Sequence, residues 1–426
     1  MTIDTRPSRT GSPSGDRPAA AAARGGVPAL REATARLDLP ELPPRRPGAR
    51  RSRVLVVHSS DELYGSDRVV VEMVGELAAR DDLDVTVWLP SDVAVGPLGP
   101  LLRELGARVE RVPLPILRRS HLGPAGLARL GRDAARTTAR LAGRHFDLVW
   151  CATSACLAVA PLARAAGVRH VVGHLHEHWG AGDRRGLRPL ARACTSVVAV
   201  SASVLDASGL GGDDRAVVVP NGVPRRSAGL APATSHRLPH WLVASRWNSQ
   251  KGHSTLLAAW NAAGCPGQLV VLGGPPAAGS AVDVPALVAA VVSRPETVTV
   301  VGEVDDVAPW LREADAVVLP SDGLEGFGLV ALEAFREGRP VVSSRSGGPE
   351  EVVRHGDTGW LFDRGDVEAL AELFATLDVD TLATAGRRAH RDYEEHWTPE
   401  RMRRRLAAVV TRELRHEHEH DAAVAS

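Results

Sequence analysis

From residue 53 onward the chain repeats one pattern: a short Val- and Leu-rich run, a polar turn, then a stretch of helical period. The runs at 54–58, 85–89, 108–112, 147–151, 170–174, 197–200 and 216–219 form a first half. Those at 241–245, 269–272, 298–301, 316–319 and 340–343 form a second. They are apolar throughout rather than alternating, which suits parallel strands covered on both faces. Strand then helix, repeated, builds βαβ units and doubly wound sheets. All the runs in a single sheet would make it unusually wide. The pattern therefore predicts an α/β chain of two Rossmann-like, doubly wound parallel-sheet domains.

The turn signal Pro220-Asn221-Gly222-Val223-Pro224 separates the halves and reads as a hinge. The expected units are 51–224 and 225–392, followed by a C-terminal helix at 393–415 that crosses back to the first domain. The preceding 1–50 is rich in Arg, Pro and Ala and cannot bury enough apolar surface to offset its ordering entropy. It reads as a disordered leader with a short helix near Leu30 to Leu37. Residues 416–426 read as a solvated His/Glu-rich tail. In open α/β sheets ligands bind beyond the carboxyl ends of the strands, so the cleft between two such domains is the expected site.

Composition narrows the partners. Formal net charge is zero, which gives no electrostatic case for nucleic acid. Four cysteines without a C-x-x-C pair fit a reducing, cytoplasmic setting. No apolar stretch approaches the length of a membrane span. Of 51 basic residues, only Lys251 is lysine. It follows a strand run in Arg246-Trp-Asn-Ser-Gln-Lys251-Gly252. A compact ammonium suits crowding against a phosphate better than a planar guanidinium does. Chance placement of a single residue is the rival reading.

The strongest local signal is Ser321-Asp-Gly-Leu-Glu325-Gly326-Phe327-Gly328-Leu329-Val-Ala-Leu-Glu333. It leaves a strand run and enters a helix whose first amides lack intrahelical partners, an anion-binding arrangement. Glu325 lies in the loop, and Glu333 lies within the helix. Two carboxylates beside a phosphate cradle suit a ligand with phosphates flanked by sugars. A capped loop with one solvated glutamate is the alternative.

Glu325 and Glu333 fit the E-x7-E pattern of the retaining GT-B glycosyltransferases of sequence family 4, the glycosyl transferases of group 1. The chain also resembles that family, in order, at Val200-Ser201, at 219–223, from Arg246 to His253, at Gly273 and Gly274, and at Gly302-Glu-Val304. The likeness continues through Gly338-Arg-Pro-Val-Val342, Gly347-Gly-Pro-Glu-Glu-Val352 and Gly356-Asp-Thr-Gly-Trp360. The resemblance implies that Arg246 and Lys251 hold the diphosphate of a nucleoside-diphosphate sugar. It implies that Glu325, with the amides of Gly326, Phe327, Gly328 and Leu329, contacts hexose and phosphates, and that Glu333 accepts from ribose hydroxyls. Gly273, Gly274 and Val304 would line the nucleotide pocket.

In the first half, Gly65 ends a loop where the family often carries two glycines; Ser66 is the departure here. His176, in Gly173-His174-Leu-His176-Glu177-His178, matches the family histidine that contacts the reacting sugar. Three alternating histidines can also form a metal cluster. Two Asp-x-Asp pairs, Asp82 with Asp84 and Asp378 with Asp380, read as structural, so no metal and no other cofactor is expected. Arg129, Arg132, Arg136, Arg140 and Arg144 recur at helical spacing above an apolar stripe of Leu127, Leu130 and Leu141. That face is either simply solvated or a patch that docks on a polyanionic acceptor or on anionic lipid at the inner membrane face.

The implied activity is transfer of a hexose-type sugar, with retention and without metal, to a glycan, lipid-linked or small-molecule hydroxyl. The implied catalytic groups are His176, Arg246, Lys251 and Glu325. Alternatives are a nucleotide-sugar 2-epimerase on a similar scaffold and a non-catalytic nucleotide-sugar binding protein. A nicotinamide dehydrogenase is disfavoured, since no G-x-G-x-x-G opens either half.

Overall fold

A computed structural model describes residues 50–118, 123–226, 236–276 and 281–424, with side chains to Arg415. The expected leader helix near Leu30 to Leu37 lies outside the described residues.

The first sheet holds β1 (Ser52–Val57), β2 (Leu83–Pro90), β3 (Arg108–Val112), β4 (Leu148–Cys151), β5 (His170–Leu175), β6 (Ser196–Ala199) and β7 (Ala216–Val218). Its order is β3-β2-β1-β4-β5-β6-β7, and every pairing is parallel. The second holds β8 (His240–Ala244), β9 (Gln268–Leu272), β10 (Val298–Gly302), β11 (Ala316–Leu319), β12 (Val341–Ser344) and β13 (Gly359–Phe362). Its order is β10-β9-β8-β11-β12-β13, again parallel.

β13 is a correction to the sequence reading, which ended the second sheet one strand early. Gly359-Trp-Leu-Phe362 opens on glycine and lacks the Val/Leu run that marks the other short strands, and its pairing with β12 defines it.

Helices cover the first sheet in chain order: α1 (Gly65–Ala78), α2 (Leu98–Glu104), α3 (Pro124–Ala142), α4 (Val159–Ala165), α5 (Ala181–Ala191) and α6 (Ala202–Ser208). The second domain adds α7 (His253–Ala262), α8 (Val284–Val291), α9 (Ala308–Glu313), α10 (Leu329–Arg336), α11 (Gly348–Val352), α12 (Val367–Thr376) and α13 (Val379–His396). The last helix is α14 (Pro399–Val424). α1 shows why these segments are helical and where they pack. Val69, Val70, Met73, Val74 and Leu77 recur at helical spacing and are buried against Val54 and Val56 of β1.

The chain crosses between domains twice, and the two crossings touch. Val223 N donates to Trp397 O (3.2 Å), and the Tyr393 hydroxyl donates to Val223 O (3.0 Å). α14 then returns to the first domain, where Met402, Leu406, Val409 and Val410 join the core of β1 and β4. Its Glu413 accepts hydrogen bonds from the Thr195 and Ser196 hydroxyls beside β6. The expected break at 392/393 therefore falls inside α13; the crossing is at 397–398. The expected solvated tail is helical in its backbone to Val424.

Two further expectations change. Of the stripe expected under the arginine face, Leu141 is buried and Leu130 half-buried, but Leu127 is 56% exposed; Asp133 and Thr137 complete the buried side of α3. Of the five arginines, four lie in α3 and Arg144 just beyond it, and three are paired. Arg129 meets Asp92 and Asp133, Arg136 meets Asp133, and Arg144 meets Glu110. Among the described residues no helix is long and apolar enough to cross a membrane.

Candidate functional site

In each sheet the first strand lies between its sequence successor and a strand from later in the chain. The crevice beyond those carboxyl ends is a topological switch point. In the second sheet it falls between β8 and β11. Lys251 leaves β8 through a short 3-10 turn (Ser249–Lys251), and Glu325 lies in the loop after β11. Residues 74 positions apart thus become neighbours: Lys251 Nζ donates to Glu325 Oε1 at 2.5 Å. The turn depends on Gly252, whose φ is +67°; a Cβ there would sit 1.8 Å from Pro320 O.

Burial alone would raise the Glu325 carboxyl, but Lys251 outweighs it and, with the Ser321 hydroxyl, holds it below the usual range. The pair is therefore a fixed cation and a fixed carboxylate at the switch point. Arg246 is exposed at the same edge, its guanidinium carbon 5.4 Å from the centre of the Tyr64 ring across the cleft.

Glu333 sits in α10 with its side chain 11% exposed, and Arg68 Nη1 of the first domain donates to its Oε1 at 2.9 Å. Burial raises the Glu333 carboxyl in spite of Arg68 and Arg336. The pair lines a cavity of about 450 Å³ between the domains, walled by Leu329, Val307 and the Gly222–Arg226 crossing.

The other expected residues fall into two groups. Gly326 and Leu329 lie on the seam with the first domain, and Gly328 packs against Pro349 of its own domain. Gly328 is the N-cap of α10, and Leu329 Cδ1 approaches Gly65. The Phe327 side chain is buried edge-on to Trp397 (5.9 Å), so Phe327 offers the cleft only its backbone. Gly273 and Gly274 are held within the sheet edge, Gly273 N donating to Gly302 O (2.8 Å) and Trp247 N to Gly274 O (2.7 Å). Val304 packs, half-buried, against the core.

His176 follows β5 and is half-buried. Burial and neighbouring His58 push its imidazole down to about 3, which leaves it neutral near pH 7. It hydrogen-bonds the Ala152 backbone, and its Nε2 is without a partner. The three histidines do not converge: the His174 and His176 rings lie 4.2 Å apart, while His178 Nε2 meets the Ser203 hydroxyl at 3.0 Å. Among the described residues no three His, Cys, Asp or Glu side chains are grouped to hold a metal ion. Asp82 precedes β2 and pairs with Arg80, and Asp378 caps α13 through Thr381 N at 2.8 Å.

The sequence reading missed the seam itself. Glu351 of α11 reaches the first domain, where the amides of Ala202 and Ser203 at the start of α6 donate to its two oxygens (2.9 and 2.7 Å). Ser201 Oγ donates to Gly326 O at 2.7 Å. Below the Gly65 loop, Asp67 accepts from Tyr64 N (2.8 Å) and pairs with buried His58 (2.5 Å), which anchors the start of α1. Of these, Ser201 and Glu351 stand in segments that carry the family likeness and Asp67 is an acid in the first turn of a helix; none of them signalled a partner in the other domain.

Residues 63–226 match the family described as Glycosyltransferase Family 4, and residues 239–378 the one described as Glycosyl transferases group 1. The GDP-mannose-dependent alpha-(1-6)-phosphatidylinositol monomannoside mannosyltransferase of Mycobacterium tuberculosis is 28% identical over 371 residues, 79% of this chain and 93% of that enzyme. The N-acetyl-alpha-D-glucosaminyl L-malate synthase of Bacillus anthracis is 37% identical over 109 residues, 25% of this chain. That match spans only 28% of the relative's own length. In structure the chain is similar to Anabaena HepE, crystallised with UDP and glucose. The TM-score is 0.68 at 22% identity, covering 84% of this chain and 99% of that one. At that identity the likeness is one of fold.

Proposed function

Because this chain belongs to the glycosyl transferases of group 1 and family 4, with GT-B architecture, we propose that it transfers a hexose-type sugar, with retention, from a nucleoside-diphosphate sugar to an acceptor hydroxyl. The observation that carries this reading is the pairing of Lys251 with Glu325 at the β8/β11 switch point, in the loop that leads into the helix carrying Glu333.

In the proposed reaction the bond from the anomeric carbon to the β-phosphate oxygen breaks as the acceptor oxygen bonds from the same face. The acceptor proton passes to the departing phosphate. Negative charge then grows on the diphosphate, where Lys251 and Arg246 stabilise it as preorganised cations. Glu325 keeps Lys251 in place and accepts from sugar hydroxyls. Glu333 takes the ribose hydroxyls, and neutral His176 accepts from the donor sugar through Nε2. This reading needs no divalent ion. Turnover measured after chelation with EDTA is expected to match the untreated rate, and a loss restored by added magnesium would refute that part.

GDP- and UDP-sugars are the first donors to test, since one relative is named for GDP-mannose and a structural neighbour was crystallised with UDP. Thermal shift against a panel of nucleotide sugars identifies the donor, because a tight ligand stabilises the folded state by mass action. Acceptor-dependent release of the nucleoside diphosphate then separates a transferase from a binding protein. A stabilising donor that yields no such release with any glycan, lipid-linked or small-molecule acceptor would count against the transferase.

We further propose a cytoplasmic protein whose α3 face touches anionic membrane. Arg132 and Arg140 are exposed on that face, alongside Leu127. Since Arg129, Arg136 and Arg144 already have acidic partners, the attraction should be weak and lost at high salt. Cosedimentation with anionic vesicles at low salt is the check, and absence of binding there sinks the idea.

A further inference from the structure

We infer that Arg68, from the first domain, binds the diphosphate of the donor nucleotide, so that the donor site is completed only across the closed seam. This rests on the reading of Glu333 as the ribose-binding carboxylate.

Arg68 lies in the first turn of α1, with Val69 and Val70 buried behind it. The turn is rigid because Asp67 bonds Tyr64 N and the buried His58 ring at once. The side chain projects across the cleft to Glu333, yet is 56% exposed, while Glu333 is 11% exposed. Of the pair, Arg68 therefore presents the larger free surface to the cavity both line. A guanidinium carries five donors in a planar fork, and the contact to Glu333 Oε1 engages Nη1. A ribose on Glu333 brings its diphosphate to the adjoining volume. There the fork offers the planar, two-point donation that phosphate oxygens favour.

Lys251 and Arg246 belong to the second domain, at the β8/β11 edge on the far side of the Glu325 loop from α10, and Arg68 is the cation that the first domain adds to the cavity beside Glu333. An open conformation would lose it. Tight donor binding and closure would then reinforce each other, as a coupling between two states requires.

The test is calorimetric titration of the full chain with UDP, GDP and the matching nucleosides. Arg68→Ala is expected to weaken the tighter nucleoside diphosphate by about ten- to a hundredfold, as for a lost hydrogen bond to a charged group, and the nucleoside by less than about threefold. Arg68→Lys should recover part of the loss. Equal loss for diphosphate and nucleoside would overturn the phosphate contact and leave Arg68 as a strap between domains. Unchanged diphosphate affinity in Arg68→Ala would overturn it too. Lys251→Ala, run in parallel, separates the two levels: if it also leaves diphosphate affinity unchanged, the donor-site reading itself fails. Arg68 is exposed, so its variants should keep the unfolding temperature of the parent; Arg68→Gln gives a second neutral replacement.

Discussion

Replacing Lys251 by alanine is expected to lower kcat by roughly 10²- to 10³-fold, the loss seen when one preorganised donor to developing charge is removed. Two effects add. The ammonium that would meet the departing diphosphate is gone, and Glu325, packed 2.5 Å from it, loses the cation that keeps it ionised in a buried setting. The carboxylate should then take up a proton more readily, so Lys251→Ala should also shift the pH profile upward. Glu325→Ala should lower kcat comparably without that pH signature.

Lys251→Arg is the sharper variant, because every other basic residue in the chain is arginine. The lysine side chain is 26% exposed and seated against Glu325 and a Gly252 turn that abuts Pro320. A planar fork has a different reach and needs more room. At least a tenfold fall in kcat/KM is expected, about 1.4 kcal/mol. Parental kinetics in Lys251→Arg would show that the single lysine has no chemical task.

Gly326→Ala is expected to lower kcat/KM by about 10²-fold, the scale of a 1 Å misplacement of reacting groups. A Cβ at Gly326 would stand 2.0 Å from His176 O, where real contacts of this kind do not fall below 3.0 Å. The obstacle is backbone of the other domain, so no rotamer change relieves it. Gly326 has no left-handed φ, so alanine suits its own backbone and the second domain should fold normally. What has to give is the seam, and with it Ser201 Oγ to Gly326 O and the approach of His176 to the Glu325 loop. Near-parental thermal unfolding with a larger radius of gyration in solution scattering would accompany the loss. Parental activity would refute the view that closure at this glycine sets the site.

Much of the fold was legible because its signals are local. An apolar run followed by a helical period marks each βα unit, and the first sheet's seven strands were placed to within a few residues of their observed bounds. α10 starts at Leu329, directly after the Gly-rich loop, and carries Glu333 within it, as the sequence reads. β13 was missed because Gly359-Trp-Leu-Phe lacks the Val/Leu run by which equally short strands such as β11 were read. The last helix was started too early, at 393, although Thr398-Pro399-Glu400 carries the N-cap and first-position proline of a helix start. The preceding helix ends at His396, where Val223 N donates to Trp397 O.

The site was legible in part for a different reason. Lys251, Glu325 and Glu333 stand in motifs of fixed spacing, and parallel sheets bring strand ends to one edge whatever the loops do. The sequence by itself therefore determined the two α/β halves, the edge on which chemistry gathers and the residues the second domain brings to it. Only the tertiary structure decided what faces them. Arg68 lies 265 residues from Glu333, and Glu351 lies 148 from Ser203. An arginine in the first turn of a helix, or a glutamate in a short one, looks like any solvated charge when read along the chain. The tertiary structure also showed why the glycine at 326 sits against the first domain rather than against a ligand alone. Such contacts depend on the relative placement of two rigid bodies, which no local periodicity encodes.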